Sequence, residues 1–153
     1  MPTGISVKLP LAYDEEDGPY RLTKTLKETV AQNFKNLVLT SPGERVMLPE
    51  FGVGVYGLLF ENATEEVKST FAERLYQQTK EHLPFVSIIN LESNFIENMW
   101  VIQIEYFIDT LGVSDALNLN LNMNDAGLTR LAATTTWGIG NNGWRKNSTN
   151  QIY

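Results

Sequence analysis

The sequence predicts an α+β fold in which two amphipathic helices pack on a small antiparallel β-sheet, followed by an extended C-terminal tail. Apolar residues recur at helical spacing in two segments, the pattern then changes to strand-like alternation, and the end of the chain is polar and rich in Gly and Thr. With 153 residues, the chain fits one domain that can fold without disulfides. Its 42% hydrophobic and 20% charged residues are typical of a globular protein.

The two ends of the chain differ in charge. Residues 1–21 predict an extended, solvated arm, because residues 14–17 are all acidic and prolines stand at 2, 10 and 19. The arm is followed by a domain over 22–124 and by a C-terminal extension over 125–153. The extension has three basic residues against one acid. Its Trp137 and Trp144 either anchor a partner or pack back onto the domain.

Two helices are predicted from apolar residues with a period of 3.6. The first covers 22–38, where one face holds Leu22, Leu26, Val30, Phe34, Leu37 and Val38. The second begins at a cap, Asn62 or Thr64, and ends before Pro84. Its inward stripe consists of Val67, Phe71, Leu75 and His82.

Beyond Pro84 the period changes to two, which predicts strands. Segments 85–92 and 100–108 form an antiparallel hairpin turning near Asn94 and 97–98, and the apolar face of the second strand holds Trp100, Ile102, Ile104, Tyr106 and Ile108. A third strand over 116–124 alternates asparagines with Leu117, Leu119, Leu121 and Met123. The asparagine face is either solvated or allows a partner strand to pair, because edge strands normally resist pairing through charge or Pro.

Composition excludes several classes of function. The absence of cysteine and the single histidine, His82, leave no triad or pair of histidines and no cysteine or two-histidine zinc site, and we predict no metal, cofactor or small-molecule ligand. A formal net charge of −6 disfavours binding to nucleic acid. No apolar run reaches the roughly 18 residues of a membrane-spanning helix, so synthesis in a cytosol is expected. The GxGxxG match at 52–57 follows a loop instead of a strand and is accidental.

The loop at 41–52, with the sequence SPGERVMLPEFG, predicts a rigid corner built from Gly43, Glu44, Arg45, Pro49, Phe51 and Gly52. In this interpretation Phe51 plugs the core, while Glu44 and Arg45 either lock the turn or face a partner. Glu44 and Glu50 are close in sequence and are the candidate pair of carboxylates for hydrolysis of a glycoside. Arg45 would keep the Glu44 carboxylate ionised, which argues against acid catalysis and against an enzyme.

The motifs GER at 43–45, PEFG at 49–52 and LFEN at 59–62, followed by a capped helix, resemble the baseplate wedge and sheath-initiator family of contractile phage tails. This family includes the matching baseplate subunit of type VI secretion systems. The resemblance covers about residues 22–110. It implies a structural, non-enzymatic protein of the virion tail baseplate, assembled in the host cytoplasm and present in six copies. The implied partners are other wedge and hub-proximal proteins and the tail sheath subunit, whose polymerisation it initiates by offering a β-strand.

The resemblance also locates candidate interaction residues. Many relatives have Glu-Pro-Arg where the long helix ends, whereas this chain has Leu83, Pro84 and Phe85, so we predict apolar docking to the wedge there. Strand 100–108 and strand 116–124 are the candidate templates for the sheath, the second through Leu117, Leu119, Leu121 and Met123. Trp137 and Trp144 are candidate anchors for a neighbour. The alternatives are a lysozyme-like enzyme that uses Glu44 and Glu50, or an adaptor outside any virion.

Overall fold

The computed structural model describes residues 4–58, 64–96 and 99–122, and within them the chain forms the predicted α+β fold. A two-stranded hairpin precedes a body of helices and a three-stranded sheet. In chain order the elements are β1 (Ser6–Val7), β2 (Leu22–Thr23), α1 (Leu26–Leu39), α2 (Val55–Leu58), α3 (Glu65–His82), β3 (Val86–Ile96), β4 (Met99–Ile108) and β5 (Val113–Asn122).

The three-stranded sheet is antiparallel, and β4 lies in its centre between β3 and β5. Trp100 of β4 pairs with Phe95 on one side and with Leu121 on the other. Because side chains alternate along a strand, this register directs every second residue of β4 and β5 to one face. The buried apolar side chains of that face are Trp100, Ile102, Ile104, Tyr106, Ile108, Leu117, Leu119 and Leu121.

The core lies between this face and two helices, with α1 packed against β5 and α3 against β3. The ring of Phe71 meets the indole of Trp100 edge-on at 5.3 Å between centroids, and the ring of Phe34 lies 4.6 Å from that of Tyr106. All four side chains are buried. The aromatic rings therefore form the centre of a single core.

Helix α1 begins four residues later than its apolar pattern predicts. Leu22 and Thr23 belong to β2 and pair with β1, so the helix can begin only after them. Thr25 caps it, because its side-chain oxygen accepts a hydrogen bond from the N–H of Glu28 at 3.2 Å. Leu26 is consequently half exposed and contributes little to the core.

Helix α3 begins at Glu65 with Thr64 as its N-cap residue, although the Thr64 side chain makes no capping hydrogen bond. Glu65 and Glu66 lie in the first turn, where the helix dipole favours negative charge. The other predicted cap, Asn62, lies outside the described residues. None of the helices in the described parts of the chain has the length and apolar character to cross a membrane.

The strands are longer than the sequence predicts. β3 continues to Ile96, and Asn94 lies inside it, paired with Val101, instead of in the turn. Pairing with β4 thus overrides the turn preference of asparagine. β5 already begins at Val113, because a tight turn at Gly112, where φ is +64°, follows β4 directly. The predicted turn at 97–98 lies outside the described residues.

The N-terminal arm forms a hairpin that is bound to α1, an attachment that the sequence does not predict, and most of its residues are exposed. Its strands pair antiparallel, with Ser6 opposite Thr23. The Gln32 side chain of α1 binds the arm backbone twice, because its Oε1 accepts from the N–H of Leu9 and its Nε2 donates to the carbonyl of Val7, both at 2.8 Å. These contacts join residues far apart in sequence, so composition could not indicate them.

Two of the four consecutive acids stabilise this hairpin. Asp14 forms a salt bridge with Arg21, with 3.2 Å between Oδ2 and Nε. Asp17 is buried, lies 2.9 Å from the Lys24 ammonium, and accepts a hydrogen bond from the N–H of Leu22 at 3.2 Å. The bond to Lys24 and the bond from Leu22 lower the pKa of the Asp17 carboxyl group.

The lowered pKa of Asp17 predicts a pH-dependent stability. Its folded-state pKa lies below the unfolded value of about 3.9, so the ionised group stabilises the fold above that value and this contribution is lost as the pH falls through the folded pKa. We expect Asp17→Asn to lower the free energy of unfolding at neutral pH, and the difference from the unsubstituted chain to shrink toward zero in acid. Urea unfolding at a series of pH values measures this.

Glu15→Gln is the matched control, because Glu15 is exposed in the same acidic turn. It should leave the pH profile unchanged. A deficit of the Asp17→Asn chain that stays constant down to strongly acidic pH would contradict the assignment.

Candidate interaction surfaces

The loop at 41–52 closes on itself through backbone hydrogen bonds. At its base, the N–H of Gly43 donates to the carbonyl of Pro49 at 2.8 Å. Closer to its end, the N–H of Phe51 donates to the carbonyl of Leu48 at 3.1 Å. Since backbone groups inside the loop bond to one another, its path does not depend on a partner.

The end of this loop is bound to both long helices. The N–H of Gly54 donates to the carbonyl of Thr40, just beyond α1, at 2.9 Å, and the N–H of Gly52 donates to Oε1 of Gln78 on α3 at 2.8 Å. We call these contacts the Gly52 clasp. Sequence analysis missed Gln78, although it follows Phe71 and Leu75 on the inward stripe. A polar residue at such a position indicates a buried hydrogen bond.

Glycine is the only residue type that fits at position 52 in this clasp. Its φ is +112°, which residues with a side chain rarely adopt. A Cβ atom there would also overlap the carbonyl group of Thr40, and backbone cannot move aside as a flexible side chain can. The glycine therefore permits the close approach of the loop to the end of α1.

Glu44 and Arg45 act separately within the corner. The Glu44 carboxylate accepts a hydrogen bond from the N–H of Ser41 at 3.0 Å and so locks the turn. The guanidinium of Arg45 lies 3.9 Å above the centroid of the Phe51 ring, whose other neighbour is the His82 ring at 4.9 Å between centroids. Phe51 is half-buried at the margin of the core, so it borders the core instead of plugging it as predicted.

The tip of the loop exposes three apolar side chains that sequence analysis did not single out. Val46 is 92% exposed, Met47 94% and Leu48 43%. Single exposed apolar residues are common, but three in succession on an internally bonded loop form a candidate contact surface.

The segment after α3 corrects one predicted docking residue. Leu83 is only 8% exposed and belongs to the core, so a charge there would disrupt the fold instead of testing a surface. Pro84 is exposed, and Phe85 is half-buried against the core. The burial of Leu83 therefore speaks against its predicted docking to the wedge, whereas Pro84 and Phe85 remain candidates.

The sheet topology separates the two candidate template strands. The sequence leaves open which of the two candidates carries the free edge, and β4 is paired on both sides, so of the two only β5 has a free edge in the described sheet. β5 is an edge strand of the described sheet, and Leu117, Leu119 and Leu121 point into the core from it. Met123, Trp137 and Trp144 lie outside the described residues.

The positions of the candidate acids give no support to catalysis. Glu44 and Glu50 are both exposed, and the Glu44 carboxylate is bound to its own turn. A catalytic acid instead needs an apolar pocket that raises its pKa. Among the described residues, no group of three His, Cys, Asp or Glu side chains could hold a metal ion.

The fold and its surfaces define a small α+β protein with an edge strand in the described sheet and an exposed apolar loop tip. Comparison with protein families gives the particular class: the baseplate wedge protein gp25 family matches residues 24–110, and the chain belongs to this family. It is thus a structural baseplate protein, located in the tail baseplate, with other baseplate proteins as partners. No curated protein matches the chain.

Two solved structures share the fold. One is the crystal structure of a protein from Geobacter sulfurreducens provisionally named a tail lysozyme, with 18% identity and a TM-score of 0.59 over 70% of this chain and 99% of that one. The other is a chain of the sixfold-symmetrised cryo-EM structure of the anti-feeding prophage baseplate. It has 25% identity and a TM-score of 0.58 over 66% of this chain and 82% of that one.

The Gly52 clasp predicts that Gly52→Ala is strongly destabilising. The positive φ alone costs about 1–3 kcal/mol for a residue with a side chain, and the overlap with the Thr40 carbonyl adds to this. We expect a lower free energy of unfolding and loss of the bond to Gln78, measured by urea unfolding and by amide hydrogen exchange of residue 52.

Gly57→Ala is the matched control, because Gly57 lies in α2 without a positive φ and with open space around the added methyl group. It should be neutral or stabilising by about 0.5–1 kcal/mol. Equal stability of the two variants would show that the clasp does not constrain the fold.

Proposed function

We propose that this protein joins the wedge of a contractile tail baseplate and initiates the sheath by accepting a sheath strand along the outer edge of β5. The observation that supports this proposal is the position of β5: none of the described residues pairs with its outer edge. Addition of a strand to a sheet edge provides main-chain hydrogen bonds without a pocket. Such contacts suit a protein whose described surface offers no catalytic site.

The sequence of β5 supports strand addition. Protected edge strands carry charges, prolines or bulges. β5 contains no proline, and its single charge, Asp115, is buried beside the hydroxyl of Tyr106, whose Oη donates to Asp115 Oδ2 at 3.3 Å. Outside the core, the strand presents Asn118 and Asn120, which are uncharged.

The other edge of the sheet is better protected. β3 has an irregularity between Ile88 and Asn90, which leaves Ile89 unpaired, and it carries the exposed Glu92. A bulge bends a strand and interrupts its ladder of hydrogen bonds. We therefore favour β5 over β3 as the template.

The wedge contact and copy number belong to the same proposal. The apolar loop tip at Val46, Met47 and Leu48 and the exposed Pro84 with Phe85 are the surfaces we propose for docking to wedge and hub-proximal proteins. The similar chain from a sixfold-symmetrised baseplate supports six copies per particle. In this proposal, residues 22–124 form the assembly domain and residues 125–153 an extension for an additional neighbour.

We infer that the protein is not an enzyme. The family is structural, and the exposed Glu44 and Glu50 lack the apolar surroundings of a catalytic acid. The similarity to a protein named as a tail lysozyme, at 18% identity, carries only the fold.

The test places lysines on the outer face of β5. Asn118→Lys with Asn120→Lys adds two charges to the proposed template without entering the core, whereas proline at Leu119 or Leu121 would disrupt packing. We expect the variant chain to enter baseplates but to lose sheath nucleation, measured by electron microscopy after co-expression with the baseplate proteins and sheath subunit of the same genome.

Asn90→Lys with Asn94→Lys is the matched control, because it makes the same chemical change on β3, the opposite edge strand. It should seed sheath normally. Normal sheath from the β5 variant, or equal loss from both variants, would refute β5 as the template.

A further inference from the structure

The N-terminal hairpin presents an apolar stripe to the outside. Every second residue from 5 to 13 is a large apolar or aromatic residue, and each side chain is exposed: Ile5 by 55%, Val7 by 38%, Leu9 by 48%, Leu11 by 62% and Tyr13 by 75%. A hairpin that merely covered the core would direct these residues inward. We call these five side chains the arm stripe.

The inner side of the arm explains this orientation. Ser6 and Lys8, which alternate with the stripe, are half-buried. The N–H of Lys8 donates to the carbonyl of Arg21 at 2.8 Å, and Gln32 binds the backbone of the arm from α1. Polar contacts thus hold the backbone of residues 5–9 against the body. Pro10 and Ala12 are exposed as well, and Leu9 borders a pocket lined by α1, so Leu11 and Tyr13 are the stripe residues most open to a partner.

The charge beside the stripe indicates what it can bind. The stripe ends at the acidic turn, where Asp14 is paired with Arg21 and Asp17 with Lys24. Glu15 and Glu16 are exposed, and neither forms a salt bridge with a described residue. A surface that covers the stripe therefore meets the exposed carboxylates of Glu15 and Glu16 at one end, where Glu16 is also within electrostatic reach of the Lys24 ammonium.

We propose that the arm stripe docks into an apolar groove with a Lys- and Arg-rich rim on a neighbouring protein of the particle. A second copy of this chain fits less well, because it carries a net charge of −6 and presents an acidic turn instead of a basic rim. Anionic lipid surfaces would be repelled for the same reason. The arm lies outside the family match at 24–110, so this contact goes beyond the proposed sheath template.

The test is site-specific photo-cross-linking in assembled baseplates. A photoreactive phenylalanine analogue replaces Leu11 or Tyr13 in the full chain, and Tyr76, exposed by 48% on α3, is the control position. We expect cross-links from 11 and 13, but not from 76, to one segment of another protein that combines apolar residues with flanking Lys or Arg.

Reversing the charge of the acidic turn provides a second test of the proposed docking. Glu15→Lys with Glu16→Lys should lower the cross-link yield about tenfold, because like charges across an interface repel. Glu73→Lys with Glu81→Lys, the same charge change on exposed positions of α3, should leave the yield unchanged. The proposal would be overturned by cross-links that form mainly to residues 123–153, to a second copy or to lipid. It would equally be overturned by equal cross-link yields at 11 and 76, or by a yield that charge reversal does not change. Sheath seeding by the same particles reports on β5 separately.

Discussion

The close approach of Gly52 to the carbonyl of Thr40 is the constraint on which the arrangement of the body depends. It binds the loop to the end of α1, and through Gln78 it binds the same loop to α3. Both helices cover the inner face of the sheet, so their relative position determines how the aromatic core closes around Trp100. The rigid corner is therefore a structural joint, and its exposed tip is held in place by the same contacts that stabilise the core.

Local pattern was sufficient to predict the helices and the inner face of the sheet. A helix or strand with one buried face carries its period in its own sequence, as the alternation from Trp100 to Ile108 and the stripe through Phe71 and Leu75 demonstrate. The hairpin at the N-terminus could not be predicted in this way. Its position depends on Gln32 and Lys24, which bond to residues that only tertiary structure brings near.

The candidate surfaces were predicted less completely for a related reason. Glycine and proline indicated a corner at 41–52, but neither could indicate that Gln78 would bind it or that Phe51 would lie between Arg45 and His82. The motif at Leu83 suggested a contact by analogy with relatives, whereas burial places that side chain in the core. Exposure is a property of the whole fold, so a motif can locate a segment without revealing which of its side chains a partner can reach.

The outer edge of β5, with which none of the described residues pairs, has a consequence for the free chain before assembly. An edge strand without proline or outward charge can pair with the same strand of another copy of the chain, which is the usual origin of edge-to-edge aggregation. The net charge of −6 opposes this, because copies repel one another at distances beyond contact. Salt weakens that repulsion, since the screening length falls to about 8 Å at physiological ionic strength. Colloidal stability thus rests on the charge of the whole molecule and not on features of β5.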